Sequence, residues 1–113
     1  MRTRGPVPAG TPTTVERVGE SWPPFRLDAQ HPLPVALHAG ARAAGLDPRL
    51  AVAGPSNIGC LLASQGIPAT AGFGVAHRGL HSVDEAIDLA TIPAVYEAHR
   101  TAVLHLLRPA ADA

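Results

Sequence analysis

The sequence contains no lysine, only one cysteine and no long hydrophobic run. All nine basic residues are arginine, so the chain has neither a lysine that could form a Schiff base nor a phosphate-loop lysine. Cys60 has no second cysteine to pair with, so nothing implies an oxidising compartment. Because no stretch of about 18 apolar residues occurs, we expect no membrane-spanning helix and a cytoplasmic location.

Charge is also scarce and evenly balanced. Nine Lys+Arg residues offset nine Asp+Glu residues among 113, and charged residues make up 16% against 46% hydrophobic. A general phosphate-binding surface needs a basic excess, so we expect no nucleic-acid partner. The apolar content favours one small folded domain, or part of a larger one, that in compact form buries about two-thirds of its unfolded surface.

Proline divides the chain into two regions. Seven of the twelve prolines lie within the first 34 residues, where their fixed φ and missing N–H prevent a long helix or a central strand. The β-branched run from Thr13 to Val18 is the one predicted strand there. Trp22 to Phe25 then reads as an extended connector into the next region.

From Pro32 onward, helical and strand patterns alternate. The predicted order is a helix at Pro32–Ala44 with Gly40 as a weak point, a strand at Leu50–Ala53, a helix at Asn57–Gln65 capped by Ser56, a strand at Ile67–Phe73, and a last helix capped by Thr91 and stopped by Pro109. Such alternation favours an α/β layer with helices against a short sheet. A sheet of two or three strands has an unpaired edge, which indicates that the rest of the domain is missing from this sequence.

Six histidines are present, and most need no functional explanation. His77 and His81 are four apart, like two zinc ligands on a helix, but Gly74 and Gly79 argue against a helix there. A self-contained metal site built from these histidines remains an open alternative. Cys60 lies within a predicted helix and is expected to be buried and inert.

The segment His81-Ser82-Val83-Asp84-Glu85 is the strongest candidate for chemistry. A loop histidine followed by two carboxylates suits a metal ligand whose second ring N–H is oriented by a carboxylate. The alternative is a plain loop histidine beside a local turn formed by Asp84.

Several blocks together resemble the C-terminal third of the zinc-dependent aminoacylase/carboxypeptidase family, which includes acetylornithine deacetylase, succinyl-diaminopimelate desuccinylase and glutamate carboxypeptidase. The resemblance covers about residues 13 to 107, and it rests on Ser-Asn at 56–57, Gly-Ile-Pro at 66–68, Gly-Phe-Gly-Val at 72–75 and His-x-x-Asp-Glu at 81–85. Each motif is weak alone, but they occur in the family's order and approximate spacing.

The resemblance implies an α/β, zinc-peptidase-like catalytic domain that binds two divalent metal ions, normally zinc, and carries an inserted lid domain. Residues 1–30 would be the remnant of the lid domain with its return linker, and residues 31–113 the C-terminal part of the catalytic domain. His81 would be a metal ligand, with Asp84 and Glu85 orienting it. Asn57, Gly72 and Gly74 would lie at the substrate, which is an N-acyl amino acid or a peptide.

The family's other metal donors and its general base, a Glu-Glu pair, have no counterpart here. The first hypothesis is therefore a C-terminal fragment of an amidohydrolase that is inactive alone and binds zinc weakly or not at all, because a catalytic zinc needs about three protein ligands. The second hypothesis is a non-catalytic module that pairs through an exposed sheet edge, as a homodimer or with a partner chain.

Overall fold

A computed structural model describes residue 10 and residues 13–19, 21–54 and 57–109. Within these ranges the chain forms helix α1 at Pro32–Ala43, helix α2 at Ile58–Ser64, strand β1 at His77–Arg78, strand β2 at Ala86–Ile87 and helix α3 at Ile92–Leu106, with a 3₁₀ turn at Leu89–Thr91 leading into α3. It is a small mixed domain of helices and a short sheet, which agrees with the predicted α/β class only in that coarse sense.

Helices α1 and α3 pack directly on each other through very small residues. Ala36 and Ala41 of α1, and Ala98 and Ala102 of α3, are buried. A Cβ atom at Gly40 would overlap the Ala98 carbonyl oxygen and lie 3.3 Å from the Ala102 backbone nitrogen. Gly40 therefore lies where the two backbones come close together, and is not merely the weak point in α1 that the sequence suggested.

The ends of α1 follow the sequence signals. The Nδ1 atom of His31 accepts a hydrogen bond from the Leu33 N–H at 3.1 Å, and Pro32 occupies the first turn, where its missing N–H costs nothing. Gly45 follows the helix with a φ of 80°, and the Leu46 N–H donates to the Ala41 carbonyl. This pairing satisfies a carbonyl that the helix leaves open.

The caps of the other two helices differ from those predicted. Asn57 caps α2, since its Oδ1 accepts from the Cys60 N–H at 3.3 Å; Ser56 lies outside the described residues. Thr91 makes no side-chain cap to α3. Its hydroxyl instead donates to the Asp88 carbonyl at 2.7 Å and accepts from the Ala76 N–H at 3.1 Å, which ties the turn before α3 to the residue before β1.

The predicted strands at Thr13–Val18, Leu50–Ala53 and Ile67–Phe73 are wrong. These segments carry no strand, and the sheet in the described chain is the antiparallel pair β1–β2, with His77 opposite Ile87 and Arg78 opposite Ala86. The physical reason is that β-branched and apolar runs favour extended backbone locally, whereas a strand also needs a partner for its N–H and C=O groups.

The hydrophobic core consists of small side chains. The buried apolar residues are Ala36, Ala41, Cys60, Ala69, Ala98 and Ala102, and no large side chain in the described ranges is fully buried. Most of the larger apolar side chains in the described ranges face solvent instead, among them Val52, Val83 and Leu107.

None of the helices in the described ranges is both long enough and apolar enough to traverse a bilayer.

Candidate functional site

The predicted metal-ligand loop is the connection between β1 and β2. Within this loop, Ser82 folds back on Gly79: both its N–H and its hydroxyl donate to the Gly79 carbonyl, at 2.9 Å and 2.7 Å. Gly79 has a φ of 62°, and a Cβ there would lie 2.9 Å from the Ser82 hydroxyl and 3.1 Å from the Asp84 carbonyl. The loop is thus a closely hydrogen-bonded turn that has room only for glycine at its first position.

His81 lies exposed in this turn, in an unusual backbone conformation. Its φ is 65°, and no other non-glycine residue in the described ranges has a positive φ. The left-handed conformation costs an L-residue about 1–2 kcal/mol. Backbone strain of this kind is concentrated at functional sites, which makes His81 a candidate on geometric grounds as well as on its motif.

Both acidic residues of the motif share the loop with His81, but only the carboxylate of Glu85 bonds to it, and it does so at the backbone. Glu85 Oε2 accepts from the His81 N–H at 3.2 Å, and the Asp84 N–H donates to the Ser82 hydroxyl at 3.3 Å. Glu85 therefore helps to hold residue 81 in its strained conformation. That Asp84 and Glu85 orient the imidazole ring stays a prediction, because the bond to Glu85 runs through the main chain.

Among the described residues, no three His, Cys, Asp or Glu side chains come together in a group that could hold a metal ion. His77 lies in β1, with its Nδ1 atom 3.4 Å from the Val75 carbonyl oxygen. The residues of the loop thus fit a single donor position of a metal centre, that of His81. The described part of the chain gives no support to a self-contained histidine site.

A cleft of about 610 Å³ lies between α1, the segment that precedes it and the irregular segments on either side of α2. Its apolar lining includes Phe25, Leu37, Val52 and Phe73. Of the predicted substrate-binding residues, Asn57 and Gly72 line this cleft, whereas Gly74 does not. His81 is not part of the lining either, so the metal-ligand loop and the cleft are separate features of the described chain.

The cleft lining is basic, which sequence reasoning missed. Arg26, Arg49 and His38 contribute to it, and no Asp or Glu is among the described residues that line it. Arg26 and Arg49 present fixed positive charges and planar forks that suit a carboxylate. Because these residues are far apart in a sequence with no net charge, only the folded arrangement reveals the basic cleft.

Asn57 and Gly72 have structural roles within the cleft wall. Asn57 caps α2 through Oδ1 and donates through Nδ2 to the Gly54 carbonyl at 2.8 Å, so both ends of its amide are engaged. Gly72 has a φ of 85°, and a Cβ there would lie 3.7 Å from the Ala53 Cβ. Their direct contact with a substrate stays a prediction.

The Phe73 ring joins the segment after α2 to α3. Its centroid lies 5.2 Å from the His99 ring at an angle of 47°, a tilted arrangement favourable for aromatic rings. His99 is itself held, with Nδ1 2.9 Å from the Val95 carbonyl oxygen one turn earlier. This contact fixes one wall of the cleft against the helical pair.

No family model, no curated protein and no solved structure matches this chain.

Proposed function

We propose that this chain is the C-terminal part of a two-metal amidohydrolase or metallopeptidase of the acetylornithine deacetylase type, which hydrolyses an N-acyl or peptide bond next to a carboxylate. One observation carries the proposal. The histidine of the His-x-x-Asp-Glu motif is exposed in a turn, with its strained backbone bound by the glutamate of the same motif. An exposed imidazole on a hydrogen-bonded loop is what a metal centre formed with other polypeptide segments requires.

His81 supplies one neutral imidazole nitrogen to the centre in this proposal. Two divalent ions, normally zinc, would polarise the scissile carbonyl and lower the pKa of a bound water. Glu85 holds the His81 main chain, which limits the positions available to the imidazole. The remaining donors and the general base come from polypeptide outside this sequence, and the chain alone is expected to bind zinc weakly or not at all and to be inactive.

The basic cleft, which is separate from the His81 loop, suits an acidic group of the substrate that lies remote from the bond hydrolysed. Arg26 and Arg49 line the cleft, and none of the described residues that line it is a carboxylate, so such a group would meet positive charge there without repulsion. Gly72 and Gly74 would let the main chain approach the substrate closely. The same proposal includes the domain assignments and the location. Residues 1–30 would be the remnant of a lid domain with its linker, residues 31–113 would be the C-terminal part of the catalytic domain, and the protein would be cytoplasmic.

The test is a chimera in which residues 54–107 replace the matching block of an acetylornithine deacetylase. We expect the chimera to retain hydrolysis of N-acetylornithine with zinc or cobalt. His81→Ala should then lower kcat at least a hundredfold, because losing a metal ligand disrupts the centre.

The matched control is His77→Ala, which removes a histidine four residues away and should leave kcat nearly unchanged. If the chimera bound metal and hydrolysed substrate equally well with and without the His81 imidazole, that result would refute the assignment of His81 as a metal ligand. For the isolated chain, incubation with zinc or cobalt and N-acetyl amino acids should give no turnover above blank.

A further inference from the structure

The cleft beside α1 has two aromatic side chains that are held in place by contacts within the chain. Phe25 packs against the first turn of α2, because a Cβ atom at Gly59 would lie 3.1 Å from the Phe25 Cζ atom. The Phe73 ring lies 5.2 Å from the His99 ring. The cleft volume of about 610 Å³ is within the range of about 300–1,000 Å³ that is typical of small-molecule sites. The described chain therefore has an apolar cleft of ligand size with anchored rings.

The two arginines of the cleft have no carboxylate partner among the described residues. The acidic residues that lie closest to them in the sequence are engaged elsewhere. Asp28 Oδ1 accepts a hydrogen bond at 2.8 Å from the main-chain N–H two residues later, and Asp47 lies 3.7 Å from the guanidinium of Arg42. Arg26 and Arg49 are both exposed, so a ligand can reach their guanidinium groups. An apolar lining with two accessible cations calls for an apolar ligand that carries a negative charge.

We propose that this cleft binds a small amphipathic carboxylate, a molecule with an apolar alkyl chain and one terminal carboxylate. A guanidinium group donates two parallel hydrogen bonds to a carboxylate, and these bonds are stronger than those between neutral groups. The alkyl chain would cover Leu37 and Phe73 of the lining and remove apolar surface from water. Inorganic phosphate has no such chain and gains nothing from the apolar lining.

This binding goes beyond the proposed function, because it requires neither a metal ion nor the His81 loop. The described lining contains no residue of that loop. The isolated chain is therefore expected to bind the carboxylate without metal, and His81→Ala should leave its affinity unchanged. Octanoate binding together with an inactive chimera would reject only the proposed function, whereas an active chimera whose isolated segment binds no octanoate would reject only this site.

The first experiment titrates the isolated chain with octanoate, without added metal, and follows the backbone amides by two-dimensional NMR. We expect saturable shifts at Ala71, Gly72 and Phe73, which line the cleft. Octanamide has a similar chain but no charge, so it should bind at least tenfold more weakly. Hexanoate is two methylenes shorter and should also bind roughly tenfold more weakly, because each buried methylene strengthens binding about fourfold.

The second experiment assigns the charge preference to the arginines of the cleft. Arg26→Gln and Arg49→Gln should each weaken octanoate binding about five- to tenfold and leave octanamide binding nearly unchanged, because only the charged ligand uses the guanidinium groups. Arg78→Gln makes the same change at an exposed position in β1, and it should bind octanoate as the unchanged chain does. Circular dichroism checks that each variant keeps its helices.

Three results would overturn the proposal. Equal affinities for octanoate and octanamide would show that the cleft does not recognise the carboxylate. Equal weakening by Arg49→Gln and Arg78→Gln would show that the arginines of the cleft are not the recognising groups. The absence of saturable shifts at residues 69–73 would show that no such ligand binds in the cleft.

Discussion

Replacement of Gly40 by alanine tests whether the α1–α3 contact is the main source of stability in this fold. A methyl group there would overlap the Ala98 carbonyl oxygen and lie 3.3 Å from the Ala102 nitrogen. Both neighbours are main-chain atoms of a helix, so they cannot move aside as a flexible side chain would. The two helices must separate instead, which loosens the contacts among the buried alanines.

The expected magnitude follows from two opposing effects. Overpacking of a tight contact costs about 1–3 kcal/mol, and the main-chain neighbours place Gly40→Ala in the upper part of that range. Alanine is better than glycine in a helix by about 1 kcal/mol. The net effect is a loss of about 1–2 kcal/mol in unfolding free energy, and each kcal/mol lowers the Tm of a domain this size by about 4–8 °C.

The measurement is thermal and urea unfolding followed by circular dichroism at the helical band. Gly54→Ala is the matched control, because no atom lies within 4 Å of a Cβ at that position, and it should leave the Tm nearly unchanged. If Gly40→Ala instead raised the Tm, helix propensity alone would govern the position. The close α1–α3 approach would then be refuted as a stabilising contact.

Two further predictions concern the loop and α2. His81→Gly should be about 1 kcal/mol more stable towards urea than His81→Ala, because glycine adopts the positive φ without strain; equal stabilities would show that residue 81 is unstrained. Asn57→Ala should lose about 1 kcal/mol by removing the α2 cap, whereas Asn57→Asp keeps an acceptor oxygen and should lose much less. An equal loss in both variants would assign the effect to the Nδ2 bond with Gly54.

The helices could be predicted from sequence because their signals are local. Pro32 in a first turn, Gly45 after the last turn and Pro93 near the start of α3 each act on the backbone within a few residues. The predicted bounds of α1 therefore agree with the structure to within one residue. What the sequence could not show was the neighbour of Gly40, since the position of α3 depends on contacts across about 60 residues.

The site was only partly predictable for the same reason. Gly74 and Gly79 argued for a loop rather than a helix around His81, and the structure has a turn there in which His81 is exposed. The positive φ of His81 could not be read from the sequence, because histidine is only one of several residue types that tolerate that conformation and the bond from the His81 N–H to Glu85 appears only in the folded loop. The basic cleft was missed because Arg26 and Arg49 come together only after the chain folds.

The wrong strand predictions and the exposed apolar surface have a single physical origin. The run Leu50–Ala53 has the composition of a buried strand, yet Leu50 and Val52 face solvent and the backbone between them is unpaired. Apolar composition alone therefore does not produce a strand, because a strand also needs a partner for its N–H and C=O groups. Since the Ala51 and Val52 amides make no main-chain hydrogen bond within the described chain and are exposed, they should exchange with solvent about as fast as the amides of an unstructured peptide. Strong protection of these two amides in a hydrogen-exchange experiment would contradict the unpaired backbone.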